Sequence, residues 1–110
     1  MPSQFRIRRS ADFQRVYQAR RRREGSYAIV HSAPNDLGYP RIGFSVSKQT
    51  GGAVTRNLII RRLREATRPL MVESGSAVDM VVVARPNAAS ATFGELAADI
   101  QHLLGGLVNS

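Results

Sequence analysis

Residues 78–84 read Val-Asp-Met-Val-Val-Val-Ala, a nearly unbroken apolar run with a single polar side chain. A segment this short, rich in β-branched residues and ended by Arg85-Pro86-Asn87, predicts a central strand of a sheet. The rest of the chain must then supply further strands and the helices that cover them. With 110 residues it can bury one core and not two, so residues 1–110 are read as a single domain. Its 43% of hydrophobic residues is normal for a folded globule,.

The flanking segments have legible periods. Residues 10–19 predict a short helix, with Ser10 as its cap, Asp12 in the first turn, and Phe13, Val16 and Tyr17 on one face. Four consecutive arginines at 20–23 read as a loop or a frayed helix end. Residues 26–33 predict a strand, residues 34–38 (Pro-Asn-Asp-Leu-Gly) a turn, and residues 41–47 a second strand with Ile42, Phe44 and Val46 on one face. These two strands are expected to form a hairpin. Gly51-Gly52 breaks the pattern. A long helix is expected over residues 53–68, stopped by Pro69. After the central strand, Thr92 and Glu95 have the spacing of a capping box, and Leu96, Ile100, Leu103, Leu104 and Leu107 follow at helical intervals until Gly105-Gly106 frays the end. The order is helix, strand, strand, helix, strand, helix. The fold class is α/β (α+β): a small mixed sheet with helices packed on it, most economically on one face. The link from Val46 to Val78 is a candidate crossover between parallel strands, right-handed by the usual statistics.

Charge narrows the function. Residues 1–70 hold fifteen of the sixteen cations and four of the eight acids, net +11, while residues 71–110 carry net −3. A basic surface this lopsided suits a polyanion, because each neutralised phosphate releases condensed counterions. Nucleic acid leads, and an anionic membrane surface comes second. Cysteine is absent, which excludes disulfide frameworks, Cys-ligated zinc and thiol catalysis. No apolar run approaches the roughly 20 residues of a membrane span. The N-terminal stretch lacks an apolar signal core, so the cytoplasm is the expected compartment.

The cations concentrate on the long helix. Asn57, Arg61 and Arg64 fall at i, i+4 and i+7 on one face, with Arg56 beside them. Ile59, Leu63, Ala66 and Leu70 make another face that reads as core. Glu65 is the one acid between Gly51 and Glu65, against four arginines. A solvated surface helix would interleave both signs, whereas a helix packed on one side and lined with guanidiniums on the other can present a phosphate-binding stripe. Lys48, at the end of the preceding strand, extends it.

Several segments together resemble the protein component of bacterial ribonuclease P. They are Ser10-x-Asp12-Phe13-x-x-Val16-Tyr17; Ile42-Gly43-Phe44-Ser45-Val46-Ser47-Lys48; Gly51-x-Ala53-Val54-x-Arg56-Asn57; Arg61-x-Leu63-Arg64-Glu65; and Val81-Val-Val-Ala-Arg85-Pro86. Order and spacing match over nearly the whole chain. Three positions depart from the family pattern: Gly52 stands where Asn is usual, Leu58 where Arg is usual, and Ile60 where Lys is usual. Arg62, at an often apolar position, is the candidate replacement for a missing cation.

The resemblance implies an α/β sandwich with a four-stranded sheet and a left-handed strand–helix–strand crossover. Three strands are evident above, so a fourth must come from splitting residues 26–47 or from a pairing near residues 71–73. It implies a subunit that assists a catalytic RNA, which removes the 5′ leader of precursor tRNA with Mg²⁺; the protein itself holds no catalytic residue and no metal site. Its partners would be ribonuclease P RNA and precursor tRNA. Phe13 and Tyr17 would line a cleft for the single-stranded leader, with His31 at a commonly aromatic position, and Lys48, Arg56, Asn57, Arg61, Arg62 and Arg64 would face the catalytic RNA. Flat side chains beside a row of cations are what an unstacked strand of arbitrary sequence requires. Intrinsic nuclease chemistry fits poorly, since the acids are scattered and the only imidazoles are His31 and His102. The alternatives are a ribosomal or other structured-RNA-binding protein with no enzymatic role, and a duplex DNA reader using the 56–64 helix.

Overall fold

The computed structural model describes residues 2–72 and 75–108. Three helices and four strands follow the order α1 (Ser10–Gln18), β1 (Arg21–Glu24), β2 (Ala28–Pro34), β3 (Arg41–Ser45), α2 (Ala53–Val72), β4 (Val78–Ala84) and α3 (Phe93–Val108), with short 3-10 turns at Ser3–Phe5, Lys48–Thr50 and Pro86–Ser90. The sheet order is β1-β2-β4-β3. β1 and β4 each pair antiparallel with β2, and β3 runs parallel to β4. The central position of residues 78–84 and the parallel link through α2 are as expected.

The fourth strand comes from neither expected place. It is the arginine run: Arg21 pairs with Ser32 and Glu24 with Ile29 along the edge of β2. All four β1 residues are exposed, so no alternation of apolar and polar side chains marks the strand. Arg20, at φ +58°, takes the left-handed position that ends α1 and turns the chain into β1. Met71 and Val72 belong to α2, and Glu73 lies outside the described residues.

The expected β2–β3 hairpin is also corrected. β4 inserts between the two strands, and the 34–38 turn instead carries the chain over it. That turn is built as expected, with Gly38 at φ +80° and the Leu37 amide donating to Asn35 Oδ1 at 2.9 Å,. Ser10 is not a cap: Arg9 occupies that position, and no side chain caps the helix. Pro69 does not stop α2, which runs on to Val72. A proline inside a helix costs about 3 kcal/mol, but the last turn buries Met71 completely and packs Leu70 on the core, each such burial being worth about 1.5–3 kcal/mol. α3 likewise continues through Gly105-Gly106 to Val108. Leu104 is fully buried, and a Cβ on Gly106 would meet the Arg23 guanidinium at 2.9 Å. The Thr92–Glu95 capping box is present, with reciprocal bonds of 2.9 and 3.1 Å,.

Helices cover both faces of the sheet, not one. Ala28, Val30, Ile42, Met80, Val82 and Ala84 pack against Ile59, Leu63, Leu96, Ile100 and Leu104 of α2 and α3. The alternate residues, Ala33 and Val81 with Val83 beside them, meet Val16 and Phe13 of α1 and Ile7 of the N-terminal segment. That segment extends the sheet past β3, where the Ile7 amide donates to the Ile42 carbonyl at 2.9 Å.

Candidate nucleic-acid interface

α1 covers only part of its face of the sheet. Beyond Ala33 and Val81, the half-buried Ile29, His31, Ser45 and Val83 lie open on the same side. Tyr17 stands at the boundary, 38% exposed, its ring edge-on to His31 with centroids 4.9 Å apart. Burial, and then the charge of Arg22, push the His31 imidazole below its ordinary pKa. Phe13 lies lower and is half-buried. A Cβ on Gly43 would sit 2.6 Å from its Cζ, so only glycine lets this ring lie against β3. Tyr17 and His31 thus touch on this face, and Phe13, one turn earlier on α1, lies against Gly43 of β3.

What fixes α1 there is a carboxylate that the sequence shows but that was not singled out as functional. Asp79 is fully buried. It accepts from Arg41 Nε at 3.0 Å and Nη2 at 2.7 Å, from Asn35 Nδ2 at 2.8 Å, and from Arg15 of α1. Arg15 also donates to the Pro34 carbonyl, and Arg41 reaches Asp12 at 3.5 Å. Burial alone would raise the Asp79 carboxyl. The hydrogen bonds of Arg41 and Asn35 and the charges of Arg41 and Arg15 outweigh it and hold the group below the ordinary carboxylate range,. The signal was the lone Asp inside an apolar strand, which is tolerated only with partners.

The second surface is α2 with the N-terminal segment. Ile59 and Leu63 are buried as expected, Ala66 and Leu70 pack beside them, and Asn57 and Arg61 are exposed. Glu65 pairs with Arg68, which follows Arg64 one turn later on the same face,. Arg56, Arg61, Arg64 and Lys48 have no carboxylate partner among the described residues. The Nε groups of Arg56 and Arg64 are buried without a protein acceptor. Arg62 differs, because its Nη1 donates to the Ala91 carbonyl at 3.2 Å and ties α2 to the start of α3. Asp99 accepts from the Ser26 and Tyr27 amides and Glu95 serves the capping box, so these acids do structural work and leave the stripe uncompensated.

The two surfaces meet at a pocket of about 180 Å³. Phe13, Gly43, Phe44, Ile60, Arg64 and Arg6 are among its lining residues. Burial and the charges of Arg64 and Arg8 push the Arg6 guanidinium below its ordinary pKa. Where the family pattern has a lysine, Ile60 therefore gives this pocket an apolar wall, and Arg6 and Arg64 supply the charge. Arg6 was missed in the sequence because Arg6, Arg8 and Arg9 sit in an aperiodic N-terminal segment, where no spacing marks which of them meets the pocket.

A family model described as Ribonuclease P matches residues 1–108. The chain belongs to the ribonuclease P protein family. It is 41% identical over 112 residues to the ribonuclease P protein component of Acidothermus cellulolyticus, covering all of this chain and 93% of that one. It is 42% identical over 100 residues to that of Kocuria rhizophila, covering 90% and 88%. The fold matches the RNase P protein of Staphylococcus aureus with a TM-score of 0.87 at 32% identity, over 96% of this chain and 98% of that one. The family's four-stranded mixed sheet with three helices is the architecture described above. Among the described residues no helix is long and apolar enough to cross a membrane.

Proposed function

We propose that this ribonuclease P protein component docks on the catalytic RNA through Lys48, Arg56, Asn57, Arg61 and Arg64. In this reading it grips the single-stranded 5′ leader of precursor tRNA in the cleft of Phe13, Tyr17 and His31. Cleavage itself belongs to the RNA, and Mg²⁺ supplies its charge neutralisation and water activation. Among the described residues no three carboxylate, imidazole or thiol groups converge on one point. These residues do not form a cage for the ion.

The observation that carries the reading is the continuity of the two surfaces. Rings on α1 and β2 lead through the Phe13–Arg64 pocket to guanidiniums that lack protein partners. Stacking on Tyr17 tolerates any base, and the cations hold the backbone. Asp79 acts at one remove, holding α1 at the distance from the sheet that the strand needs.

The test is reconstitution. Added to the catalytic RNA at low Mg²⁺, the protein is expected to raise precursor cleavage. Tyr17→Ala is expected to weaken holoenzyme binding to precursor tRNA by about 1–3 kcal/mol, with little change for mature tRNA. Equal losses on both would remove the leader from the cleft, and no stimulation would leave a structured-RNA binder without an enzymatic role.

A further inference from the structure

We infer that the arginine edge strand β1, with Arg20 before it, forms the far rim of the cleft and holds the phosphates of the leader's upstream part as it leaves the protein. The inference rests on the leader reading above and extends it to a surface that reading does not use.

Four observations place it. β1 is the edge of the sheet opposite the β3 edge, beside which lies the basic N-terminal segment. The pairing register sets Arg22 directly across from His31, the residue that touches Tyr17, so rings and guanidinium follow one another across the sheet. Glu24 is the only carboxylate on β1; it pairs with Arg22 and reaches Arg85 at 3.6 Å. Arg22 and Glu24 are about half exposed, at 51% and 54%, and an exposed pair yields readily to a competing anion. Arg20 has no ion-pair partner among the described residues. Arg21 and Arg23 alternate to the other face: Arg21 lies across from Ser32 and lines a pocket with Gly106 of α3, and Arg23 reaches toward the Leu103 carbonyl at 3.5 Å.

Direction follows from the docking reading. If α2 faces the catalytic RNA, the leader enters at the β3 side and can only run across β4 and β2 toward β1. Three inter-strand steps of about 4.8 Å make roughly 14 Å, and a stacked strand advances about 3.4 Å per nucleotide. The crossing therefore takes no more than about four nucleotides, and later phosphates reach Arg20 and Arg22. A run of charge on an edge strand also guards against edge-to-edge association, and that rival predicts no effect on RNA.

Leader length separates the two. The variant is Arg20→Gln/Arg22→Gln in the reconstituted holoenzyme, with precursors carrying leaders of about two and about ten nucleotides. Arg62→Gln, which removes a cation from the side of α2 turned toward the start of α3, is the control for net charge. The long leader is expected to lose affinity by roughly tenfold, with the log–log salt slope reduced by about 1.4. The short leader and the control are expected to change by less than about twofold. Circular dichroism and thermal midpoint confirm that the variant folds. Equal losses on both leaders would put β1 against the catalytic RNA and overturn the inference. No loss on either, with Tyr17→Ala still selective for precursor, would reduce β1 to an edge guard. If Tyr17→Ala is itself not selective, the cleft reading fails and the β1 rim falls with it.

Discussion

Alternate side chains of β4 face two unlike environments. Met80, Val82 and Ala84 meet a dry layer of leucine and isoleucine from two long helices. Val81 and Val83 meet one nine-residue helix and a cleft, and Asp79, on the same side, meets a cage of arginine and asparagine. The first face is held by area: α2 and α3 bury their apolar stripes over it. The second is held at a point, by a carboxylate that pins Arg15 of α1 and Arg41 of β3. A helix fastened at one end can leave the other end of its face open, which is where Tyr17 and His31 stand. Stability is concentrated on one side of the sheet, and the other stays partly uncovered.

Three substitutions test that contrast. Leu63→Ala, in the closed layer and fully buried, is expected to lower unfolding free energy by about 3–5 kcal/mol. Chemical denaturation would show it, and the folded fraction should keep its preference for precursor over mature tRNA. Losing that preference would mean the two faces are not independent.

Asp79→Ala is expected to cost less stability, about 3 kcal/mol, because Arg15 stays partly in water when its partner goes. Its effect on leader binding should nevertheless be the larger of the two, since α1 loses its anchor. The Asp79 carboxyl is held below its ordinary value of 3.8. Its contribution is therefore fully present above that value and disappears as pH falls through the depressed folded value. Urea unfolding across acid pH should show this limb in the native chain and not in Asp79→Asn; its persistence in the variant would assign the acid limb to other groups.

The smallest effect is expected on the basic flank. Arg61→Ala should leave stability within about 0.5 kcal/mol and reduce the salt slope of RNA binding by about one. An unchanged slope would mean that Arg61 touches no phosphate.

Much of the closed face was legible in the chain. The apolar stripe of α2, the leucines of α3 and the Thr92–Glu95 box are local patterns, and they kept their periods in the fold. The open face was less so. Phe13 and Tyr17 were visible as a pair, but Gly43 beneath Phe13, Arg6 beside Arg64 and the partners of Asp79 come from segments far apart in sequence, and no spacing connects them. Arg62, expected on the RNA face, bonds Ala91 instead, because the start of α3 happens to pass within its reach.

Periodicity and charge alone determined the central strand, the buried sides of the helices and the surplus of cations on residues 1–70, since each depends on neighbours along the chain. Only tertiary contact decided that four exposed residues after α1 form a strand, that β4 divides β2 from β3, and that α2 outlasts Pro69. An edge strand takes its hydrogen bonds from β2 and needs no apolar pattern of its own, strand order depends on which edges meet, and a helix continues past a proline when its last turn has a core to enter.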